Sequence, residues 1–400
     1  MVVAPKLDLK LPPDLAALFA QERPRFSAGE MRRRRDLIEQ AMSESGADHL
    51  VVYAAGFRGG PVHWLCEWPT TTEAALVLTP GRKDTLFIQY CNHVPLARQL
   101  TTDADVKWGG ASTAVSVISE LGRRGAKAGR VAAIGALPMS QYKALAAKYG
   151  DVIDLNRTYG RLRLIKSAEE VAWARIGARL SDLSIEALAA EVRPGLDERD
   201  LGAIVEAAYH PWGGVNVIHF FGVTSMHAPD ICVPRQHPSP RKIAQGDVIS
   251  TEISVSWQEY GGQVLRTLPV GEPFTPLYAR LHDTALAAFD AIVRVIKPGC
   301  HARELVEASR VIEAAGFTIY DDLVHGYVGG YLPPIVGSPS RQNEAIPDLT
   351  LEAGMMLVVQ PNVITPDEKA GVQTGECLLV TERGAESIHT APRGAIHIAA

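Results

Sequence analysis

The 400-residue chain is 46% hydrophobic and 21% charged, a balance that excludes disorder and fits two globular domains better than one ordinary core. Its net charge of −5 and pI near 6.2 provide no basic field for a phosphate backbone, so nucleic-acid partners are not expected. The five cysteines (Cys66, Cys91, Cys232, Cys300, Cys377) never fall in a C-x-x-C spacing, which signals neither a disulfide framework nor a zinc knuckle.

No stretch reaches the ~18 apolar residues of a membrane span. The N-terminus also lacks a cationic segment followed by an apolar one, so a cytoplasmic protein without a membrane partner is expected. Ser27 and Glu30 form a capping box that opens a helix, whose dense cationic run Arg32 to Arg35 reads as a solvated face. Strands are expected at His49–Tyr53, Ala74–Leu78, Thr85–Tyr90 and Val131–Ile134, with helices at Ser112–Arg124 and Ser140–Tyr149. Together these make a small α/β domain over residues 1–162.

A second capping box, Ser167 to Glu170, opens a long Ala-rich helix just after the boundary, and residues 163–400 form the second domain. That domain carries a weak internal repeat. Helix, Pro194-Gly195 and Arg199-x-Leu201 are echoed by helix, Pro298-Gly299 and Arg303-x-Leu305, and strands are expected to follow at Val215–Phe221 and Phe317–Leu323. Two such units facing each other predict an α+β domain with a cleft between strands.

The chemistry-bearing residues fall at four ordered stations. Glu252 follows Gly246-Asp247 on a strand, Gln263 lies eleven residues further on, and Leu265-Arg266-Thr267 closes the next strand. His325-Gly326 is the second station, Gly354-Met355 running to Gln360-Pro361 the third, and Gly371 to Glu376 before Leu378 to Thr381 the fourth. This order and spacing resemble the pita-bread superfamily of creatinase, aminopeptidase P and prolidase. The resemblance covers nearly the whole chain and implies a pita-bread C-terminal domain behind a smaller creatinase-like α/β domain.

Family peptidases hold two metals with four carboxylates and one histidine. The corresponding positions here are Glu252, Gln263, His325, Gln360 and Glu376, although a strict count from Gln360 puts the last one on Gly375. A carboxamide has one weakly donating oxygen and cannot bridge two cations, so the resemblance points to the metal-independent members, creatinase and ectoine hydrolase, and no cofactor is expected. A single zinc held by Glu252, His325 and Glu376 is the alternative.

Under this resemblance the protein is a hydrolase of a C–N bond of amide, amidine or guanidino type in a small polar molecule. Glu252 serves as base or nucleophile, and His325 and Glu376 handle protons. Gln263 and Gln360 grip the substrate, since amides donate and accept but do not titrate. Tyr260 and Tyr331 are further substrate contacts, Tyr331 through its hydroxyl. An upstream histidine is expected to transfer protons; His227 and His237 are candidates, and the Met-His-Ala-Pro turn favours His227. Family members form homodimers in which the partner's N-terminal domain closes the site, so Arg58, Trp64 and Trp68 are expected to supply a cation and aromatic walls. The alternatives are an Xaa-Pro dipeptidase with an atypical metal site and a non-catalytic binding protein on the same fold.

Overall fold

The computed structural model describes residues 7–56, 60–341 and 345–399, in two compact units, Gln21–Arg163 and Met1–Ala20 with Leu164–Ala400. The smaller unit is built on six strands, β1 (His49–Ala55), β2 (Glu73–Leu78), β3 (Asp84–Ile88), β4 (Ala104–Trp108), β5 (Val131–Ile134) and β6 (Ile153–Asp154), in the order β4-β3-β2-β1-β5-β6. Leu50, Val52, Leu76 and Ile134 point into one core layer and Val51, Tyr53 and Val77 into the other, as the period-two alternation of strands buried on both faces requires.

The helix Ala28–Ser45 begins where Ser27 Oγ accepts from the Glu30 amide. Its cationic run is not a wholly solvated face. Arg34 is fully buried, donating to Glu30 at 2.6 Å and to the Trp64 carbonyl at 3.0 Å, while Arg35 pairs with Asp84 at 2.6 Å. Buried carboxylates selected those positions, which charge counting alone does not register. Trp64 and Trp68, expected as walls of a site, are core residues of this unit.

The larger unit holds β7 (Val215–Ser225), β8 (Asp247–Trp257), β9 (Tyr260–Pro269), β10 (Thr318–Ile319), β11 (Val324–Gly326), β12 (Leu332–Val336), β13 (Met356–Val359), β14 (Val363–Ile364), β15 (Gly375–Thr381) and β16 (Gly384–Ser387). The principal sheet runs β12-β11-β13-β15-β9-β8-β7, with β16 on β15 and a separate β10-β14 pair. The repeated helix pairs are Ala168–Glu191 with Glu198–Tyr209, and Pro276–Val295 with Ala302–Ala308. Ser167 and Glu170 make the complete reciprocal cap. The expected strand Phe317–Leu323 shrinks to Thr318–Ile319, because Asp321 and Asp322 turn the chain before β11.

Both long helices pack on the same face of the sheet. Tyr278, Leu281 and Phe289 of Pro276–Val295 share a core with Val324, Val359 and Leu378, and Gly177 of Ala168–Glu191 lies against the β8–β9 turn. A Cβ at Gly177 would stand 2.3 Å from the Tyr260 carbonyl oxygen and 2.6 Å from the Gly261 Cα, so only glycine permits this approach. Gly177→Ala is therefore expected to destabilise this unit by about 3 kcal/mol, the upper end for overpacking. Urea unfolding followed by tryptophan fluorescence checks this, and an unchanged midpoint would contradict it.

Candidate functional site

With helices covering one face of the sheet, side-chain alternation assigns the residues of the other. Ser254 pairs with Gln263, Glu252 with Leu265, and His325 with Val358, two residues before Gln360. Glu252, Gln263, His325 and Gln360 thus share the face opposite the two long helices. Gln263 Nε2 donates to Glu252 Oε1 at 2.7 Å and to Gln360 Oε1 at 3.2 Å, and Gln360 Nε2 donates to the carbonyl and Oδ1 oxygens of Asp322, each at 3.3 Å.

Glu376 is not part of this group. It pairs with Val264 and Val359, one residue out of phase, and therefore projects to the opposite face. There the fully buried Arg266 holds it at 2.7 Å, with Arg393 at 3.4 Å. The strict count is the one the strand register follows: Gly375 pairs with Leu265 beside the Glu252 group. A Cβ at Gly375 would meet the Val359 carbonyl oxygen at 2.3 Å, so this backbone has no room for a side chain there.

Two carboxyls not singled out from the sequence join the group. Asp321 and Asp322 lie just before β11, and their charges act on Glu252. Burial, reinforced by Asp321 and Asp322, pushes the Glu252 carboxyl up to about 8. Asp321 is pushed up to about 6, by burial first and then by its hydrogen bond and charge interaction with Asp322. Burial lowers His325 to about 4, against the opposing pull of the Gly326 carbonyl 3.1 Å from Nδ1, so its ring is neutral at pH 7. The acid doublet ahead of His-Gly was the available signal; it was absorbed into the expected strand.

Tyr331 reaches the site, its ring stacked on His325 at 4.4 Å between centroids and its hydroxyl hydrogen-bonded to Asp322. The turn that brings it there holds Val328 at φ 72°, a left-handed conformation unusual for a β-branched residue. Tyr260 does not reach the site. It alternates away from Gln263, packs edge-on to Trp173 and donates to Glu170 Oε1 at 3.1 Å. His227 lies past the Asp247 end of the β7–β8 pair and bonds Glu272. That is about 17 Å from Glu252 at 3.4 Å per residue. His237 is exposed on the loop that follows, and Arg58 lies outside the described residues.

The donor set does not fit a two-metal centre. Of the five positions, two are amides, one is a glycine, and only Glu252 and His325 are metal-binding types on this face. Among the described residues no group of three or more His, Cys, Asp or Glu side chains is arranged to hold a metal ion. The alternative single zinc site fails on the same ground, because Glu376 is on the wrong face. No described helix is long and apolar enough to cross a membrane.

A family model described as Metallopeptidase family M24 matches residues 172–382. An Xaa-Pro dipeptidase from Pyrococcus furiosus is 26% identical over 230 residues, covering 57% of this chain and 63% of that protein. An uncharacterized peptidase from Staphylococcus aureus is 26% identical over 234 residues, 58% of this chain and 64% of the relative, so the match spans less than two thirds of these curated relatives. Among solved structures, the Xaa-Pro dipeptidase from Bacillus anthracis superposes with a TM-score of 0.76 at 20% identity, covering 92% of this chain and 100% of that one. Dipeptidase PepE from Mycobacterium ulcerans superposes with a TM-score of 0.75 at 22% identity, covering 94% and 100%. These likenesses establish the expected α+β pita-bread fold with its smaller N-terminal domain.

Proposed function

The chain belongs to metallopeptidase family M24, and on that footing we propose that it is a hydrolase of a C–N bond in a small polar molecule, working through carboxyl groups rather than a metal pair. The observation that carries this reading is the hydrogen-bonded group Glu252, Gln263 and Gln360 standing where the family resemblance calls for metal-binding carboxylates. Glu252 and Asp321 have been driven apart, to about 8 and about 6, the pattern of an acid and base pair.

At neutral pH Asp321 takes a proton from water as the oxygen attacks the substrate carbon. Glu252 gives its proton to the nitrogen as the C–N bond breaks. Asp321 then releases to solvent the proton it took and Glu252, partly exposed, takes one back, which returns both groups to their starting states after each turnover. His325 and Tyr331 form one wall, and the amides orient the substrate.

On substrate class, the relatives favour a peptide bond over an amidine or guanidino group, so Xaa-Pro dipeptidase activity is the second reading and the one the comparisons support better. One assay series separates the two. Purified protein is analysed for metals and offered Xaa-Pro dipeptides, simple amides, amidines and guanidines, with and without chelator. The carboxyl mechanism is expected to give turnover that chelator leaves unchanged and a bell-shaped kcat/KM, rising as Asp321 ionises near 6 and falling as Glu252 ionises near 8. Stoichiometric manganese, cobalt or zinc with chelator-sensitive dipeptide cleavage would overturn it in favour of the metallopeptidase.

A further inference from the structure

Val359 pairs with Glu376, and Ile364 pairs with Gly371 the same number of residues further along both strands. The register between them sets Gln360 opposite Gly375 and Asn362 opposite Gln373, and the Val372 amide, donating to the Val363 carbonyl at 3.0 Å, agrees with it. Val363 and Val372 belong to the core beneath Pro276–Val295, so Asn362 and Gln373 project to the other face, the one that carries Gln360. The main chain of Gln373 is clamped by Thr267, whose hydroxyl donates to its carbonyl at 2.7 Å and accepts from its amide at 2.8 Å. Thr267 pairs with Ser250, two residues from Glu252, which places the pair about 7 Å along the sheet from Glu252 at 3.4 Å per residue. Asn362 and Gln373 are 1% and 2% exposed, yet both polar atoms of the Asn362 side chain and Oε1 of Gln373 have no hydrogen-bond partner among the described residues. Buried polar groups are nearly always paired. Three unmet atoms on one cross-strand pair, on the face of the candidate site, point to a ligand group that meets them.

We propose that Asn362 and Gln373 form a specificity subsite for a neutral primary carboxamide, or the equivalent end of a urea, carried by the substrate about 7 Å from the bond that is cleaved. The count of donors and acceptors selects the group. Asn362 Oδ1 and Gln373 Oε1 each take one of its two N–H groups, and Asn362 Nδ2 donates to its C=O. A carboxylate brings no N–H and leaves both acceptors facing oxygen. An ammonium or amidinium brings no acceptor and leaves the Asn362 NH2 unmet. Neither side chain titrates, so the subsite has no charge of its own to favour an ion. The inference rests on reading this face as the hydrolase centre, and it specifies a part of that substrate which does not react.

The test is ligand-observed NMR titration of the full chain with propionamide, N-methylpropionamide, propionate and propylamine. Propionamide is expected to bind about tenfold tighter than N-methylpropionamide, which lacks the second N–H, a difference of one hydrogen bond. Propionate and propylamine are expected to bind more weakly still. Asn362→Leu puts an apolar side chain of similar volume in place of the amide and is expected to lose the preference for propionamide. Its unfolding temperature is expected to match or exceed that of wild type, because two buried unmet groups are gone. Gln373→Leu is expected to bind propionamide and N-methylpropionamide equally, and it decides the question should Asn362→Leu not fold. Unchanged propionamide binding in these variants, propionate or propylamine binding as well as propionamide, or no propionamide binding overturns the proposal. Because the assay reads no turnover, propionamide bound through Asn362 by a protein that hydrolyses no C–N bond counts against the functional reading alone. Hydrolysis without propionamide selectivity counts against this inference alone.

Discussion

Glu252→Gln is expected to lower kcat by about 10³-fold, the middle of the range for a general acid, while making the protein more stable at alkaline pH. The second effect follows from linkage. The unfolded carboxyl ionises near 4.5 and the folded one near 8, so between these values the folded chain holds a proton that the unfolded chain has lost. Its contribution to stability therefore falls as pH rises through that window and levels off above it. Glutamine keeps the shape and removes the ionisation, returning on the order of 3 kcal/mol at pH 7 and little at pH 4.5. Thermal unfolding of both proteins across this range, beside their turnover, is the measurement. A variant that is slow but no more stable at pH 8 than wild type would mean that Glu252 is not carried as a neutral acid.

Removal of Arg266 is expected to be the most damaging single change to the fold. Its guanidinium, fully buried, bonds Glu376 at 2.7 Å, Gly375 O at 2.7 Å, Pro392 O at 2.8 Å, Leu265 O at 2.9 Å and Ala391 O at 3.0 Å. Methionine fills much of the volume but strands the carboxylate and four carbonyls, with an expected loss of about 3–5 kcal/mol. Arg393, 3.4 Å from the other Glu376 oxygen, offsets only part of this. Glu376→Gln keeps an acceptor for Arg266 and is expected to cost much less, with turnover close to wild type. Denaturant midpoints and activity of the two variants decide the point, and loss of turnover in a stable Glu376→Gln protein would return Glu376 to the chemistry.

These two residues show where sequence was sufficient and where it was not. Gly-Asp before Glu252, the spacing to Gln263, His325-Gly326 and Gln360-Pro361 are local patterns on single strands, and the sheet assembles them as their order implies. Glu376 was misplaced because charge drew attention one residue from the position that strand register assigns, and a shift of one reverses the face. Tyr260 fell to the same parity. His227 shares a loop pattern with the family but sits at the wrong end of a long hairpin, a distance that no motif encodes. Asp321 and Asp322 are masked in the sequence by the apolar residues on either side, which mimic one continuous strand. The smaller domain's strands at His49, Glu73, Asp84 and Val131 were legible because both faces are buried and the runs are short, bounded and apolar.

The crowding at Gly375 has a consequence for anyone seeking to engineer a dinuclear centre here. Restoring acids at Gln263 and Gln360 is a matter of side-chain chemistry, but a fifth ligand on β15 needs a Cβ where the Val359 carbonyl already stands 2.3 Å away. Installing it means respacing two paired strands in the middle of the sheet, together with the Arg266 anchor that grips the Gly375 carbonyl from behind. Reversion by point substitution is thereby closed, and the backbone itself, more than any side chain, commits this site to its present chemistry.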